Sequence, residues 1–246
     1  MNGRVKWFLG FVSLSLIMGG FCVFLKNTVP NRQDTSSVSS VSEKRAVDVV
    51  IDAGHGGEDG GCVGAGGVCE KDLNLSVAVK VYDILTVAGV NAVMTRSDDR
   101  MLYDLYGDLE DYESVKKTYD LKNRVRFARE SECALFVSVH MNKFSDSSYN
   151  GLQVYYSGNA SDSITAALRV QSYAKEYLQP ENEREIKRAG SNIYVLHRSQ
   201  MPAILVECGF LSNTAEAELL KERDYQKKLA LTVSAAIMDS MANFRS

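Results

Sequence analysis

The sequence has no surplus of basic residues, no internal repeat and only three histidines. Its 246 residues carry 28 Lys and Arg against 31 Asp and Glu, a net charge of −3. Because there is no basic excess to neutralise phosphates, nucleic acid is excluded as the main partner. The length and the 45% hydrophobic content fit one globular domain of about 200 residues with a tail.

The five cysteines contain no C-x-x-C spacing, so the sequence does not indicate a cysteine metal site. Cys22 lies in an apolar N-terminal run, Cys133 adjoins a predicted strand, and Cys208 lies beside a candidate catalytic residue. Cys62 and Cys69 share one loop, and an exported domain can carry disulfides. We expect free thiols, and a Cys62–Cys69 pair stays open as the alternative.

The N-terminal run Trp7–Leu25 contains no charged residue, and its nineteen positions can just cross a bilayer core. Arg4 and Lys6 precede it, and no Ala-x-Ala-like cleavage site follows it. We therefore expect an uncleaved signal anchor over residues 1–26, with a cleaved signal peptide as the alternative. With the positive N-terminus inside, the rest of the chain is expected outside the cytoplasm, in the cell wall or the forespore intermembrane space.

A serine-rich linker is predicted over residues 27–45, and a folded domain over residues 46–246. Hydrophobic periodicity in that domain predicts alternating strands and helices, the pattern of an α/β sheet protein. Two helices are predicted with Asp72 and Asp120 as their N-caps. The predicted strands are Val49–Ile51, Val90–Met94, Ala134–Val139, Gly151–Tyr156, Ile193–Leu196 and Ala203–Val206.

The segment Ser97–Ser114 carries seven acidic residues against the single basic residue Arg100. A solvated surface loop is one interpretation of this segment. The alternative is a docking surface, because long loops on a rigid scaffold often have a function.

Two predicted strands end at a histidine, and these residues suit zinc chemistry. His55 follows the first strand in a glycine-rich loop that holds eight of the eighteen glycines, and His140 follows a later strand. Together with Glu70 they supply a His₂Glu ligand set, which leaves Glu207 to act as general base. His197 is a rival ligand, and a flexible loop with one stray histidine is the non-functional alternative.

At these residues the sequence resembles the zinc-dependent N-acetylmuramoyl-L-alanine amidases of bacterial cell walls. Five ordered segments carry the resemblance: Ile51–Gly57, Glu70–Leu75, Met94–Arg96, Ser138–Asn142 and Val206–Asn213. The resemblance implies zinc ligands at His55, Glu70 and His140, and a catalytic glutamate at Glu207. It also implies a single α/β domain with a twisted, mostly parallel sheet and helices on both faces.

The resemblance implies an activity on peptidoglycan, namely hydrolysis of the amide between the lactyl group of N-acetylmuramic acid and L-alanine. The anchor, the single domain and the lack of wall-binding repeats resemble the germination-specific subgroup, which acts in spore-cortex maturation through muramic-lactam formation. Two alternatives stay open: a zinc exopeptidase, and a non-catalytic peptidoglycan-binding scaffold on the same fold. The need for an activating protein partner, of unknown identity, also stays open.

Overall fold

The structure is a computed structural model that describes residues 46–244. The predicted anchor (residues 1–26) and the whole of the predicted linker (residues 27–45) lie outside these residues. Within residues 46–244, no helix combines the length and the apolar character needed to cross a membrane.

The described part of the chain alternates strands and helices, as the sequence pattern predicts. The strands are β1 (Val49–Ala53), β2 (Ala92–Met94), β3 (Leu135–Asn142), β4 (Gln153–Tyr156), β5 (Lys187–Arg188) and β6 (Ala203–Phe210). The helices are α1 (Glu70–Val87), α2 (Lys116–Glu130), α3 (Asp162–Tyr173), α4 (Tyr194–Arg198), α5 (Thr214–Lys221) and α6 (Arg223–Phe244).

The strands form one mixed sheet in the order β2-β1-β3-β6-β4-β5. The four strands β2, β1, β3 and β6 run parallel, whereas β4 is antiparallel to β6 and β5 runs parallel to β4. Residues 143–152 link β3 to β4 without a helix. A parallel crossover needs a dozen or more residues and usually a helix, so the chain turns back at this point.

Helices cover both faces of the sheet, as expected. Successive strand residues point to opposite faces. In β1, Val49 and Ile51 belong to the larger core, which packs under α1, α3, α5 and α6. Val50 faces the other way, into a smaller core beneath α2 and α4 that also contains Phe136 and Leu205. The sheet therefore has two buried faces. His140 shares the strand face of Phe136 and Glu207 that of Leu205, so both lie on the smaller-core side.

Two strand predictions need correction. The run Ile193–Leu196, predicted as a strand, lies largely in the short helix α4, which places His197 on an exposed helical surface. A short apolar run cannot be assigned to a strand or a buried helix by periodicity alone. The strand predicted over Ala203–Val206 continues as β6 to Phe210, so Glu207 lies within the strand.

The two predicted N-caps are also wrong. Helix α1 begins at Glu70, before Asp72. Helix α2 begins at Lys116, and Asp120 lies inside it, where its carboxylate binds the guanidinium of Arg124. Asp120 therefore has a residue type that favours an N-cap, but its side chain forms a buried ion pair inside the helix instead.

The prediction of free thiols is confirmed for the four cysteines of the described residues, because none of them forms a disulfide.

Candidate metal centre

The candidate site lies where the parallel strands β1, β3 and β6 end. The carboxyl ends of parallel neighbours meet at one edge of a sheet, so residues there are brought together. His55 comes two residues after β1, while His140 lies in β3 directly opposite Glu207 of β6 in the strand register. Glu70 reaches the same place from the first position of α1.

His55, Glu70 and His140 form one compact cluster. One ligand atom from each lies within 4.8 Å of the others. The Oε1 atom of Glu70 lies 2.8 Å from Nδ1 of His140 and 3.3 Å from Nε2 of His55. The structure thus brings together the three residues that the sequence predicts as ligands, although they are scattered over 86 positions.

The orientation of His55 is held by two neighbours. Its Nδ1 atom donates to Oδ2 of Asp59 at 2.8 Å, which leaves Nε2 to face Glu70. Its backbone has a positive φ of 60°, and its carbonyl oxygen accepts a 2.6 Å hydrogen bond from Arg124. A carboxylate behind a ligating histidine fixes the ring and raises its basicity. Sequence reasoning missed Asp59, whose only signal is its place four residues after His55 in the glycine-rich loop.

Two glycines leave the space that the cluster occupies. A Cβ atom added at Gly54 would lie 2.1 Å from Nε2 of His140. At Gly61, where φ is +67°, a Cβ atom would lie 2.6 Å from Oε2 of Glu70 and 2.8 Å from the ring of His55. Glycine is therefore required at both positions for this arrangement of side chains.

Glu70 is buried, with 4% of its surface exposed, and it is surrounded by hydrogen-bond donors. Its Oε2 atom accepts from the backbone N–H of Cys62 at 2.9 Å, and Oε1 accepts from Nδ2 of Asn74 and the N–H of Met141, both at 3.3 Å. Burial also raises the pKa of the Cys62 thiol to about 12, so this neighbour stays protonated near neutral pH.

The charges in the cluster depend on each other. Burial opposes ionisation of Glu70, but the hydrogen bonds from His140 and His55 hold the pKa of its carboxyl far below the ordinary value. Burial likewise opposes protonation of His55, but the hydrogen bonds to Asp59 and Glu70 raise its pKa to about 9. Since a cation and a proton compete for the same nitrogen, metal uptake by this cluster would release a proton.

Glu207 lies beside the cluster and has a different environment. Its Oε2 atom is buried and has no hydrogen-bond partner among residues 46–244. Burial, only partly offset by His140, raises the pKa of Glu207 to about 7. Together with His55 and His140, it lines a cavity of about 260 Å³ that is closed on one side by α2 and α4. A carboxylate in that state can take up and release a proton near neutral pH.

The donor set fits zinc. Two imidazole nitrogens and one carboxylate oxygen are an attested catalytic zinc set, and the open cavity beside them leaves room for water or substrate. The rival ligand His197 does not fit, because it is exposed on α4 and outside the cluster. An α/β domain with such a cluster at the carboxyl edge of its sheet, next to a proton-accepting carboxylate, is typical of metal-dependent hydrolases.

Comparison with known proteins identifies the family. A family model for N-acetylmuramoyl-L-alanine amidases matches residues 49–239, and the chain belongs to this family. The germination-specific N-acetylmuramoyl-L-alanine amidase of Bacillus subtilis strain 168 is 36% identical over 241 residues, which cover 97% of this chain and 95% of that protein. The resemblance inferred from the five sequence segments is thereby confirmed.

Solved structures support the same assignment. The CwlD amidase from Clostridioides difficile, in complex with the GerS lipoprotein, has a TM-score of 0.73 and 34% identity, covering 80% of this chain and 98% of that one. The amidase AmiC2 of Nostoc punctiforme has a TM-score of 0.66 and 32% identity, covering 79% and 96%. The individual roles of His55, Glu70, His140 and Glu207 stay predictions.

Proposed function

We propose that the protein is a zinc-dependent hydrolase that cuts the amide between the lactyl group of N-acetylmuramic acid and L-alanine in peptidoglycan. Family membership supports the reaction. The observation that carries the metal dependence is the convergence of His55, Glu70 and His140 within 4.8 Å.

In this proposal His55, Glu70 and His140 hold the ion, and Glu207 moves the proton. Bound zinc would lower the pKa of a water molecule to about 7 and polarise the amide carbonyl. Glu207 would accept a proton from the attacking water as the oxygen of that water bonds to the lactyl carbonyl carbon. As the C–N bond breaks, Glu207 returns the proton to the nitrogen that becomes the amino group of L-alanine. The buried, unpartnered Oε2 atom suits this exchange.

The proposed biological setting is the spore cortex, in the formation of muramic lactam. It is supported by similarity to the germination-specific amidase of Bacillus subtilis over nearly the whole chain. The similar CwlD amidase was solved in complex with a lipoprotein, so we also propose a protein partner for this chain. Residues 1–26 would anchor the domain outside the cytoplasm. Membrane fractionation with N-terminal sequencing tests this, and a mature protein beginning near Asn27 would contradict it.

Two carboxylate substitutions test the mechanism. Glu207→Gln keeps the shape of the side chain but cannot accept a proton, so release of peptide from purified peptidoglycan should fall about 10²- to 10⁴-fold. The loss should appear in kcat, while zinc content stays normal. Glu70→Gln should instead lower zinc affinity first, because it weakens a ligand.

The opposite pattern, zinc lost from Glu207→Gln and kept by Glu70→Gln, would show that the two roles are exchanged. Full activity of Glu207→Gln would refute the mechanism. The same assay separates the alternatives, since a scaffold would release no peptide with or without zinc. An exopeptidase would shorten peptides without freeing them from the glycan.

A further inference from the structure

A second groove, of about 430 Å³, lies between α2 and α4 and differs from the catalytic cavity in charge. Four of its lining side chains are cationic, namely Lys122, Arg126, Arg129 and Arg198, against the single acidic residue Asp108. This concentration of positive charge stands out on a chain whose net charge is −3.

Three of these cations lack an anionic partner. Arg126 pairs with Glu130 at 2.8 Å and with Asp108 at 3.1 Å. For Lys122, Arg129 and Arg198, no carboxylate lies within 4.0 Å in the part of the chain that the structure describes. All three side chains are exposed. Three unpaired cations along one groove repel each other and would bind an anionic ligand favourably.

The groove adjoins the catalytic cavity, because Tyr194 lines both spaces. Helix α2 contributes Leu121 to the cavity and its neighbour Lys122 to the groove, so the two spaces lie side by side along the helix, and the groove extends to Arg129. At 1.5 Å per residue, Arg129 lies about 10 Å from Lys122 along the helix. An extended peptide advances about 3.3 Å per residue, so this length holds roughly three to four residues.

We propose that this groove, lined by Lys122, Arg126, Arg129 and Arg198, binds the carboxylates of the stem peptide that begins with L-alanine. The inference rests on the proposed function, because it places the peptide arm of that substrate. The lactyl carboxyl group is consumed in the amide, so the free carboxylates lie on the peptide. The groove adjoins the cavity in which this amide would be cut, and its charge complements such a peptide.

The test compares a muramyl-peptide substrate with free carboxylates against the same substrate with its carboxylates amidated. The wild type should prefer the free acid, and added salt should weaken the preference. In Arg129→Ala/Arg198→Ala, kcat/KM for the free acid should fall about 2- to 30-fold, the range for two exposed ion pairs. The change should lie in KM, and the amidated substrate should be cut as before. Lys228→Ala, an exposed lysine on α6, is the matched control.

A binding measurement keeps this inference separate from the proposed function. The free stem peptide should bind the wild type more weakly after amidation, and the double variant should not distinguish the two forms, even if the protein cuts no substrate. Equal cleavage and binding of both forms by the wild type would overturn the inference. An equal loss of kcat/KM for the free-acid and the amidated substrate in the double variant would indicate a structural role for the two arginines. That result would also overturn the inference. The inference would also be overturned if Arg129→Ala/Arg198→Ala kept the preference for the free-acid peptide but lost binding to phosphatidylglycerol vesicles.

Discussion

Replacing Arg124 by methionine should destabilise the domain far more than any exposed charge does. Arg124 is 1% exposed and binds the carboxylates of Asp52 and Asp120, each at 2.7 Å. It also donates to the carbonyl oxygens of Ala53 and His55. Methionine fills much of the same space but leaves two buried carboxylates without their cation. Breaking a buried ion pair in this way costs about 3–5 kcal/mol.

The consequence should be visible in urea or thermal unfolding. A loss of 3–5 kcal/mol is about a fifth or more of the 5–15 kcal/mol stability of an ordinary domain. At roughly 2–4 °C per kcal/mol for this chain length, the Tm should fall by about 6–20 °C. Arg126→Met is the matched control, because Arg126 lies on the same helix, is 37% exposed and makes surface pairs. Such pairs are worth about 0.2–1 kcal/mol, so its Tm should fall by only a few degrees.

The pH dependence gives a second readout. In the wild type, burial opposes ionisation of Asp52, but Arg124 and the hydroxyls of Ser138 and Thr95 hold its pKa below the ordinary 3.8. The resulting stabilisation is present above about pH 4 and is lost as the pH falls further. In Arg124→Met, burial should dominate and raise this pKa, so the stability difference between the two proteins should narrow as the pH drops. The reasoning would be refuted if Arg124→Met and Arg126→Met lowered the Tm equally and if neither loss changed with pH.

Two further predictions concern the support of the metal cluster. Asp59→Asn weakens the 2.8 Å contact that orients His55, so competition titration should show zinc affinity or activity reduced about 10- to 100-fold. Asp224→Asn, at an exposed position of α6, should leave both unchanged. Gly54→Ala drives a methyl group into the ring of His140, so this variant should lose at least as much zinc affinity as Asp59→Asn. Gly60→Ala in the same loop meets nothing closer than 4.0 Å and should keep its zinc; equal losses in both glycine variants would contradict the steric argument.

The sequence predicts that the two histidines of the cluster meet, because both lie at the ends of buried strands. Buried strands are recognisable as β-branched or apolar runs, and parallel strands bring their carboxyl ends to one edge. His55 and His140 follow such runs, so their meeting is foreseeable from the pattern. The register that places Glu207 directly opposite His140 is a property of the assembled sheet and is not readable from either strand.

The errors arise where tertiary contacts override a local pattern. Asp120 has the position of an N-cap in the sequence, yet its carboxylate binds Arg124 and the N–H of Leu102 in the interior. His197 follows a short apolar run, and such a run is equally compatible with a strand and with a buried helix. The contact between Asp59 and His55 depends on the conformation of a glycine-rich loop, which leaves no periodic signal. The substrate is predicted from the family resemblance, because the spacing of these residues alone does not determine it.

The zinc content of the purified protein, measured by mass spectrometry beside peptidoglycan hydrolysis, tests the central claim most directly. The wild type should hold one zinc ion per chain, whereas His55→Ala and His140→Ala should lose zinc and activity together. His197→Ala is the matched control, because His197 is exposed and outside the cluster, and it should keep both. Stoichiometric zinc in both His55→Ala and His140→Ala, or loss of zinc in His197→Ala, would contradict the assignment of the metal centre.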